Sequence, residues 1–429
     1  MVVINEAVPT YEKTSLSNGL RVVTSSMPHT RAVTVSIFVG AGSRYESPPE
    51  AGISHFVEHL CFKGTHRRAS AKEISEAVER VGGHLNGGTD RELTVYWCKV
   101  ARPYFSVATD VLVDMLRNSR FDPLEMEKER KVVLEELSAV WDSPAQRADV
   151  LIDEVLWPDQ PLGRDVAGTK ETVRGITQPK IIDYVGRHYL PNNAVVAVAG
   201  DISHEEIVDA FDRAMGDWYA GPSVDWHPVI DGQQAPRCSI ETRRTEQTHL
   251  SLAVRGVPRL HPHRFVLDII NIILGEGMSS RLFVELREKR GLAYDIHSYV
   301  SHFRDAGALT IYAGVEHKSV SDVIQAMLEE LDRFKEGTSE EELDKAKEMS
   351  KGRMMLRMED TRSVATWLGA QEILSGRIYT VDDLAAFLDA VTLEDVKQTA
   401  RQFFVTERLN LAVVGPFRSE RRFLNLLKL

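Results

Sequence analysis

Alternating apolar and polar positions near the N-terminus predict two β-strands. The segment LSNGLRVVTSSM places an Asn18-Gly19 turn before a β-branched run, and VTVSIFVG at residues 33–40 follows as a second strand. Patterns with helical spacing alternate with further strands along the rest of the chain. The pattern therefore predicts a fold that combines helices and sheets.

A repeat relates the two halves of the chain. TQPKIIDYVGRHYLPNNAVVAVAGD aligns with TLEDVKQTARQFFVTERLNLAVVGP at a constant shift of 215 residues, so that Thr177 meets Thr392 and Gly200 meets Gly415. Residues 219–236 between the halves hold three prolines and two glycines without periodicity, which is typical of a linker. We therefore expect an α+β protein of two duplicated domains, residues 1–218 and 237–429, each a largely antiparallel sheet flanked by helices.

The motif HFVEH at residues 55–59 is the first candidate for chemistry. At about 100° per residue, a helix places His55, Glu58 and His59 on one face and Phe56 and Leu60 on the other. Two histidines at this spacing can be a chance surface pair. The glutamate between them and the apolar opposite face favour the inverted order of a zinc peptidase motif.

A catalytic zinc needs a third protein ligand. The segment LEMEKERKVVLEELSAVW predicts a helix over 124–141, in which Glu129 and Glu136 lie seven residues apart on nearly one face, while Glu135 competes for the same role. The alternative is that these carboxylates only solvate an amphipathic helix. In the second half, the shift of 215 places apolar residues opposite the motif, so we expect only the first half to bind metal.

Composition narrows the classes of function. The 429 residues are 43% hydrophobic and 27% charged, and the net charge of −11 disfavours nucleic acid as a partner. Cys61, Cys98 and Cys238 have no spacing typical of a disulfide framework or a thiolate zinc site. No leader pattern and no apolar run long enough to cross a membrane occurs, so we expect a cytoplasmic protein without a membrane partner.

These features together resemble the pitrilysin-type zinc peptidases (M16, inverted zincins), a family that includes mitochondrial processing peptidase and insulin-degrading enzyme. The similarity covers nearly the whole chain and is closest to the short bacterial members. It implies the mitochondrial processing peptidase-like fold and one zinc ion per chain. The implied zinc ligands are His55, His59 and Glu136, with Glu58 as general base, Glu129 as an auxiliary carboxylate and Glu135 as a bystander.

Two further segments are similar to the family. GGHLNGGTDRELTVYW at residues 82–97 resembles its substrate-binding edge strand, which implies that Asn86 contacts substrate, although Gly87 stands where alanine is frequent and the glycines alone indicate only a bend. SSRLFVELREKRGLAYDIHSYVS at residues 279–301 resembles the segment that supplies an arginine and a tyrosine to the active site. Spacing selects Arg287 and Tyr294. Without the resemblance, this basic segment would be read as a solvated helix end.

The sequence thus predicts a zinc-dependent endopeptidase that hydrolyses extended peptides or short unfolded segments inside a chamber. One alternative is a non-catalytic or partner-dependent subunit of a processing-peptidase-like complex, and another is a zinc hydrolase of non-peptide substrates. Longer family members hold four such domains in one chain. The resemblance therefore implies a homodimer, or a pair with a metal-free homologous partner, in which Arg287 and Tyr294 of one subunit complete the zinc site of the other.

Overall fold

The structure is a computed structural model that describes residues 11–429. The first ten residues, on which part of the expectation of no leader rests, lie outside the described residues. The strands are β1 Tyr11–Ser15, β2 Arg21–Ser26, β3 Ala32–Val39, β4 His84–Thr89, β5 Thr94–Ala101, β6 Ala194–Gly200, β7 Arg237–Thr242, β8 Thr248–Arg255, β9 Ala293–His302, β10 Gly307–Val315 and β11 Leu409–Gly415. The α-helices are α1 Ile53–Cys61, α2 Ala71–Glu79, α3 Phe105–Asn118, α4 Pro123–Asp142, α5 Pro144–Leu156, α6 Lys170–Gly175, α7 Gln178–His188, α8 His204–Met215, α9 Arg264–Gly275, α10 Val320–Glu336, α11 Glu340–Arg357, α12 Thr361–Ser375, α13 Val381–Asp389, α14 Leu393–Phe403 and α15 Glu420–Leu424.

The first sheet has six strands in the order β1-β2-β6-β3-β5-β4. Strands β2 and β6 are parallel, and the other neighbouring pairs are antiparallel. The predicted Asn18-Gly19 turn lies between β1 and β2, where Gly19 adopts a φ of 87° that a residue with a side chain rarely takes. Both strands predicted near the N-terminus are confirmed, as β2 and β3.

The second sheet has five strands in the order β7-β11-β8-β10-β9. Strands β7 and β11 are parallel, at the position that β2 and β6 occupy in the first sheet, and the other neighbouring pairs are antiparallel. Helix α9 follows β8 just as α1 follows β3. The predicted α+β fold of two similar, largely antiparallel sheets is therefore confirmed.

The compact units exchange segments between the two halves of the sequence. One unit contains Met1–Leu137, Asp165–His227 and Met354–Asp382, and the other contains Ser138–Arg164, Pro228–Arg353 and Asp383–Leu429. Helix α12 from the second half packs on β3 and β6, and α5 from the first half packs on β8 and β11. The units thus differ from the contiguous ranges 1–218 and 237–429, which stay a prediction about the duplication, and residues 219–236 form neither helix nor strand.

The described part of the chain contains three free cysteines, of which Cys61 and Cys98 are buried. None of the helices within residues 11–429 combines the length and the apolar composition that crossing a bilayer requires.

Candidate metal centre

Helix α1 carries the HFVEH motif and is fixed at its N-terminus. Phe56 and Leu60 are buried on its apolar face, as helical spacing predicts. The buried carboxylate of Glu46 accepts hydrogen bonds from the backbone N–H groups of Gly52 at 2.8 Å and Ser54 at 2.9 Å. A negative charge at this end also complements the helix dipole. The polar face of α1 is therefore held in a defined orientation.

Three potential ligand atoms converge at this face. The Nε2 atoms of His55 and His59 are 3.1 Å apart. Glu136 of α4 places Oε2 at 3.7 Å from His55 Nε2 and 3.6 Å from His59 Nε2. Glu135 is exposed, and within residues 11–429 it forms no ion pair with either histidine. The rotation of about 100° per residue thus separates the two neighbouring glutamates.

A second carboxylate contacts the other ring nitrogen of His59, Nδ1. Glu129 is buried, and its Oε1 accepts a hydrogen bond from His59 Nδ1 at 2.9 Å. Its other oxygen, Oε2, lies 2.6 Å from Lys63 Nζ. Hydrogen bonds of this kind orient metal-binding imidazoles in many proteins. Glu129 and Glu136 thus both lie next to His59, as their predicted alignment on one helix face implies, but Glu129 contacts Nδ1 and Glu136 lies near Nε2.

The pKa values of the two histidines shift in opposite directions. Burial, with a smaller contribution from neighbouring His59, lowers the pKa of His55 to about 4, so its imidazole is neutral at pH 7. Burial also acts against a charged His59, but the hydrogen bond to Glu129 and the nearby carboxylates outweigh it and raise the pKa of His59. A cation that binds here would therefore compete with a proton for His59.

Glu58 lies beside the histidines and against strand β4. Its carboxylate and a nitrogen of each histidine all lie within 4.8 Å of one another. Burial raises the pKa of Glu58, and this effect is partly offset by His59 and by the Thr89 hydroxyl, which donates to Glu58 Oε2 at 3.4 Å. A carboxylate with a raised pKa is suited to accept a proton near neutral pH.

The donor set fits zinc. Bonds of about 2.0–2.2 Å in a tetrahedron separate ligand atoms by roughly 3.3 Å, close to the 3.1–3.7 Å among His55 Nε2, His59 Nε2 and Glu136 Oε2. Two imidazoles and one carboxylate also leave a fourth position open, as a catalytic zinc requires. Glu58 would remain outside this ligand set and free to exchange protons.

Strand β4 is one of the two edge strands of the first sheet, and it contacts α1 beside the candidate metal centre. A groove of about 770 Å³ runs along it, and Asn86 lines this groove. The Asn86 side chain is exposed, and its Oδ1 accepts a hydrogen bond from the backbone N–H of Gly87 at 2.8 Å. The segment predicted as a substrate-binding edge is thus an edge strand, whereas the role of Asn86 stays a prediction.

Arg287 and Tyr294 belong to the other compact unit. Residues Phe283–Lys289 form a π-helix, a rare element that often marks functional sites. The Arg287 guanidinium lies 4.8 Å from the Phe283 ring centroid and 5.0 Å from that of Tyr294. Tyr294 remains 75% exposed. The structure therefore brings this predicted pair together on one surface.

Sequence reasoning did not find three residues that support the centre, namely Glu46, Lys63 and Thr89. Each contacts a residue that is distant in sequence or belongs to another element, so spacing along the chain does not predict the contact.

Comparisons with known proteins place the chain in a family. Residues 21–170 match the family model described as insulinase (peptidase family M16), and residues 175–350 match the model of the peptidase M16 inactive domain. An uncharacterized zinc protease of Streptomyces coelicolor is 37% identical over 96% of this chain and 91% of its own length. The uncharacterized zinc protease YmxG of Bacillus subtilis is 38% identical over 93% of this chain and 97% of its own length.

Solved structures share the fold. A protease from Helicobacter pylori superposes with a TM-score of 0.88 at 23% identity, covering 96% of this chain and all of that chain. A chain of complex III2 from Candida albicans superposes with a TM-score of 0.84 at 20% identity, covering 97% of this chain and all of that chain. The sequence relatives and the two family models lead to one conclusion: the chain belongs to peptidase family M16.

Proposed function

We propose that the protein is a zinc-dependent endopeptidase that cleaves extended peptides. The observation that carries the proposal is the convergence of His55 Nε2, His59 Nε2 and Glu136 Oε2 within 3.1–3.7 Å, with Glu58 beside them. One zinc ion per chain is the expected cofactor, and relatives that are named zinc proteases support it.

Zinc, when bound, supplies a Lewis acid that polarises a carbonyl group and acidifies water. Glu58 accepts the proton of the attacking water and later delivers it to the leaving amine. Thr89 holds one oxygen of Glu58 and so limits the rotation of that carboxylate. Glu129 keeps the His59 ring in one orientation.

The free edge of β4 supports an extended peptide as the substrate. A peptide that adds to this edge forms backbone hydrogen bonds with β4, and its side chains alternate between the two sides of the groove. A folded protein has already paired its own backbone groups. We therefore expect cleavage of loose peptides in an enclosed chamber and resistance of native globular domains.

The alternative, a non-catalytic or partner-dependent subunit, draws on the match to the peptidase M16 inactive domain over residues 175–350. That match lies outside the segment that carries the candidate metal centre. His55, Glu58, His59 and Glu136 are all present, which favours an active enzyme. A cytoplasmic location stays a prediction from the sequence.

The test combines metal content with cleavage of a quenched fluorescent peptide. We expect about one zinc per chain in the wild type. Glu58→Gln should keep the metal and lose hydrolysis, because the base is removed while the ligands stay, whereas Glu136→Gln should lose the metal. Glu135→Gln is the matched control, because it removes the neighbouring exposed carboxylate and should change neither property.

Two results would contradict the proposal. If purified wild type bound zinc but cut no extended peptide, the alternative of a non-catalytic or partner-dependent subunit would be favoured. If Glu58→Gln lost zinc and Glu136→Gln kept it, Glu58 would be the metal ligand and Glu136 would not.

A further inference from the structure

Lys63 makes a contact that the proposed chemistry does not use. It lies just beyond the end of α1, where its backbone N–H donates to Leu60 O at 3.0 Å. Its Nζ lies 2.6 Å from Glu129 Oε2, while Glu129 Oε1 accepts from His59 Nδ1 at 2.9 Å. One carboxylate thus has each oxygen bound to a different donor, and the three side chains form a continuous chain behind the metal centre.

Burial makes this ion pair different from a surface pair. The Glu129 side chain is 7% exposed and that of Lys63 is 29% exposed. Exposed pairs contribute little, but a buried carboxylate that loses its partner must turn toward water or take up a proton. Either response would break or weaken the hydrogen bond to His59.

We propose that Lys63 is a positioning residue for the metal centre, acting through Glu129. By holding Glu129, it fixes the His59 ring with Nε2 directed at His55 Nε2, the arrangement that a metal ion requires. The ligand in this inference is zinc, so it rests on the proposed function. Partners that orient ligating histidines typically change metal affinity by about 10–100-fold.

A second effect of Lys63 has the opposite sign. A cation near the site repels a dication, so removal of the Lys63 charge by itself would strengthen zinc binding. A single Lys63 variant therefore mixes a gain from lost repulsion with a loss from lost positioning. The two effects separate in a Glu129→Ala background, where the repulsion remains but nothing is left for Lys63 to position.

The experiment is a double-mutant cycle on zinc affinity, measured by competition with a chromogenic chelator. Four proteins are compared: wild type, Lys63→Met, Glu129→Ala and the double variant. Two ratios of zinc Kd values are compared. The first is Lys63→Met over wild type, and the second is the double variant over Glu129→Ala. The first ratio should be at least tenfold larger than the second. Lys63→Arg, which keeps both charge and hydrogen bonding, should restore the wild-type Kd.

Controls separate positioning from stability. Lys128→Met breaks an exposed pair with Glu125, 2.6 Å long, and should leave the zinc Kd unchanged. Thermal unfolding of the zinc-free proteins shows whether each variant is folded at the temperature of the zinc titration, because loss of a half-buried ion pair lowers stability more than loss of an exposed one. Lys63→Gln replaces Lys63→Met if the latter does not fold. Equal ratios on the two sides of the cycle would overturn the role of Lys63 while leaving the proposed function intact, whereas a wild type that binds no zinc would overturn both.

Discussion

At the scale of single residues, Gly87 lies where strand β4 passes close to the carboxylate of Glu58, the proposed general base. A Cβ atom at this position would lie 2.9 Å from Glu58 Oε1 and 3.1 Å from Phe62 Cε2. Such contacts are too short, and the Glu58 carboxylate is the flexible partner that would move. The absence of a side chain at residue 87 therefore leaves room for the Glu58 carboxylate in this chain.

We predict that Gly87→Val lowers kcat for peptide cleavage by about tenfold or more, because it displaces Glu58 from its position beside the histidines. Zinc content should not change, since neither histidine nor Glu136 is touched. The matched control is Gly88→Val on the same strand, where an added Cβ meets nothing within 4 Å. A normal kcat in Gly87→Val would mean that the carboxylate does not need this space.

His188 is a buried histidine that makes no hydrogen bond through either ring nitrogen to any residue in the described range. It packs against the rings of Tyr184 and Tyr45, with centroids 4.4 and 5.9 Å away. Burial, reinforced by Arg187 and opposed by Glu50 and Asp183, lowers the pKa of His188 to about 4. The folded protein therefore keeps this ring neutral well below the pH at which the unfolded chain protonates it.

The sign of the pH effect follows from this lowered pKa. Above pH 6.5 the ring is neutral in both states, and between pH 6.5 and about 4 only the unfolded state gains a proton. Stability should thus fall as the pH falls through this window, by up to roughly 3 kcal/mol from this residue. His188→Leu should flatten the dependence of the unfolding midpoint on pH between 7 and 5, and an unchanged slope would contradict the assignment.

At the scale of elements, α12 docks onto the first sheet through a glycine. A Cβ atom at Gly369 would lie 2.1 Å from Cε2 of Phe38 in β3, so the helix backbone rests directly on this ring. Neighbouring Val364 and Leu368 are buried at the same interface. The close approach therefore depends on the missing side chain.

We predict that Gly369→Ala destabilises the protein by about 2 kcal/mol, because the added methyl group forces α12 away from Phe38. The control is Gly352→Ala in α11, where nothing lies within 4 Å. There the substitution should be neutral or stabilising by up to about 1 kcal/mol, since alanine favours a helix over glycine. Chemical denaturation of both variants provides the measurement, and equal stabilities would disprove the contact.

The elements also mark the limit of what the sequence predicts. Spacing within one helix placed His55, Glu58 and His59 on one face, and the structure agrees because the geometry of a helix is local. The choice between Glu135 and Glu136 needed either the resemblance or the structure, because it depends on how α4 packs against α1. The sequence does not predict the exchange of α5 and α12 between the two halves, since an apolar helix face does not specify which sheet it covers.

At the scale of the whole molecule, the chain has two domains where the resemblance implies four in longer family members. We expect two copies to pair so that Arg287 and Tyr294 of one subunit complete the zinc site of its partner. Two-fold homodimers are also the commonest oligomers. The Tyr294 ring is exposed and lies next to the Arg287 guanidinium, so both groups are accessible to a partner subunit.

Mixing two inactive variants, Glu58→Gln and Tyr294→Phe, under conditions of subunit exchange should restore activity. Random exchange makes about half of the dimers mixed, and each mixed dimer has one intact site, so roughly a quarter of wild-type activity should return. Each variant exchanged with itself is the control and should gain nothing. If mixed dimers form but remain inactive, Tyr294 acts in the zinc site of its own chain or has no role in catalysis.

The exchange of helices also has a consequence for biosynthesis. The ribosome completes the strands of the first sheet at Gly200, but α12, which covers one of its faces, begins only at Thr361. During the intervening translation, apolar residues on that face, such as Phe38 and Val195, lack the cover that α12 gives them in the folded protein. We therefore expect the nascent chain to expose an apolar surface of the kind that chaperones bind until its second half emerges. A chain that stops in the linker should aggregate, even though the two halves are repeats of one another.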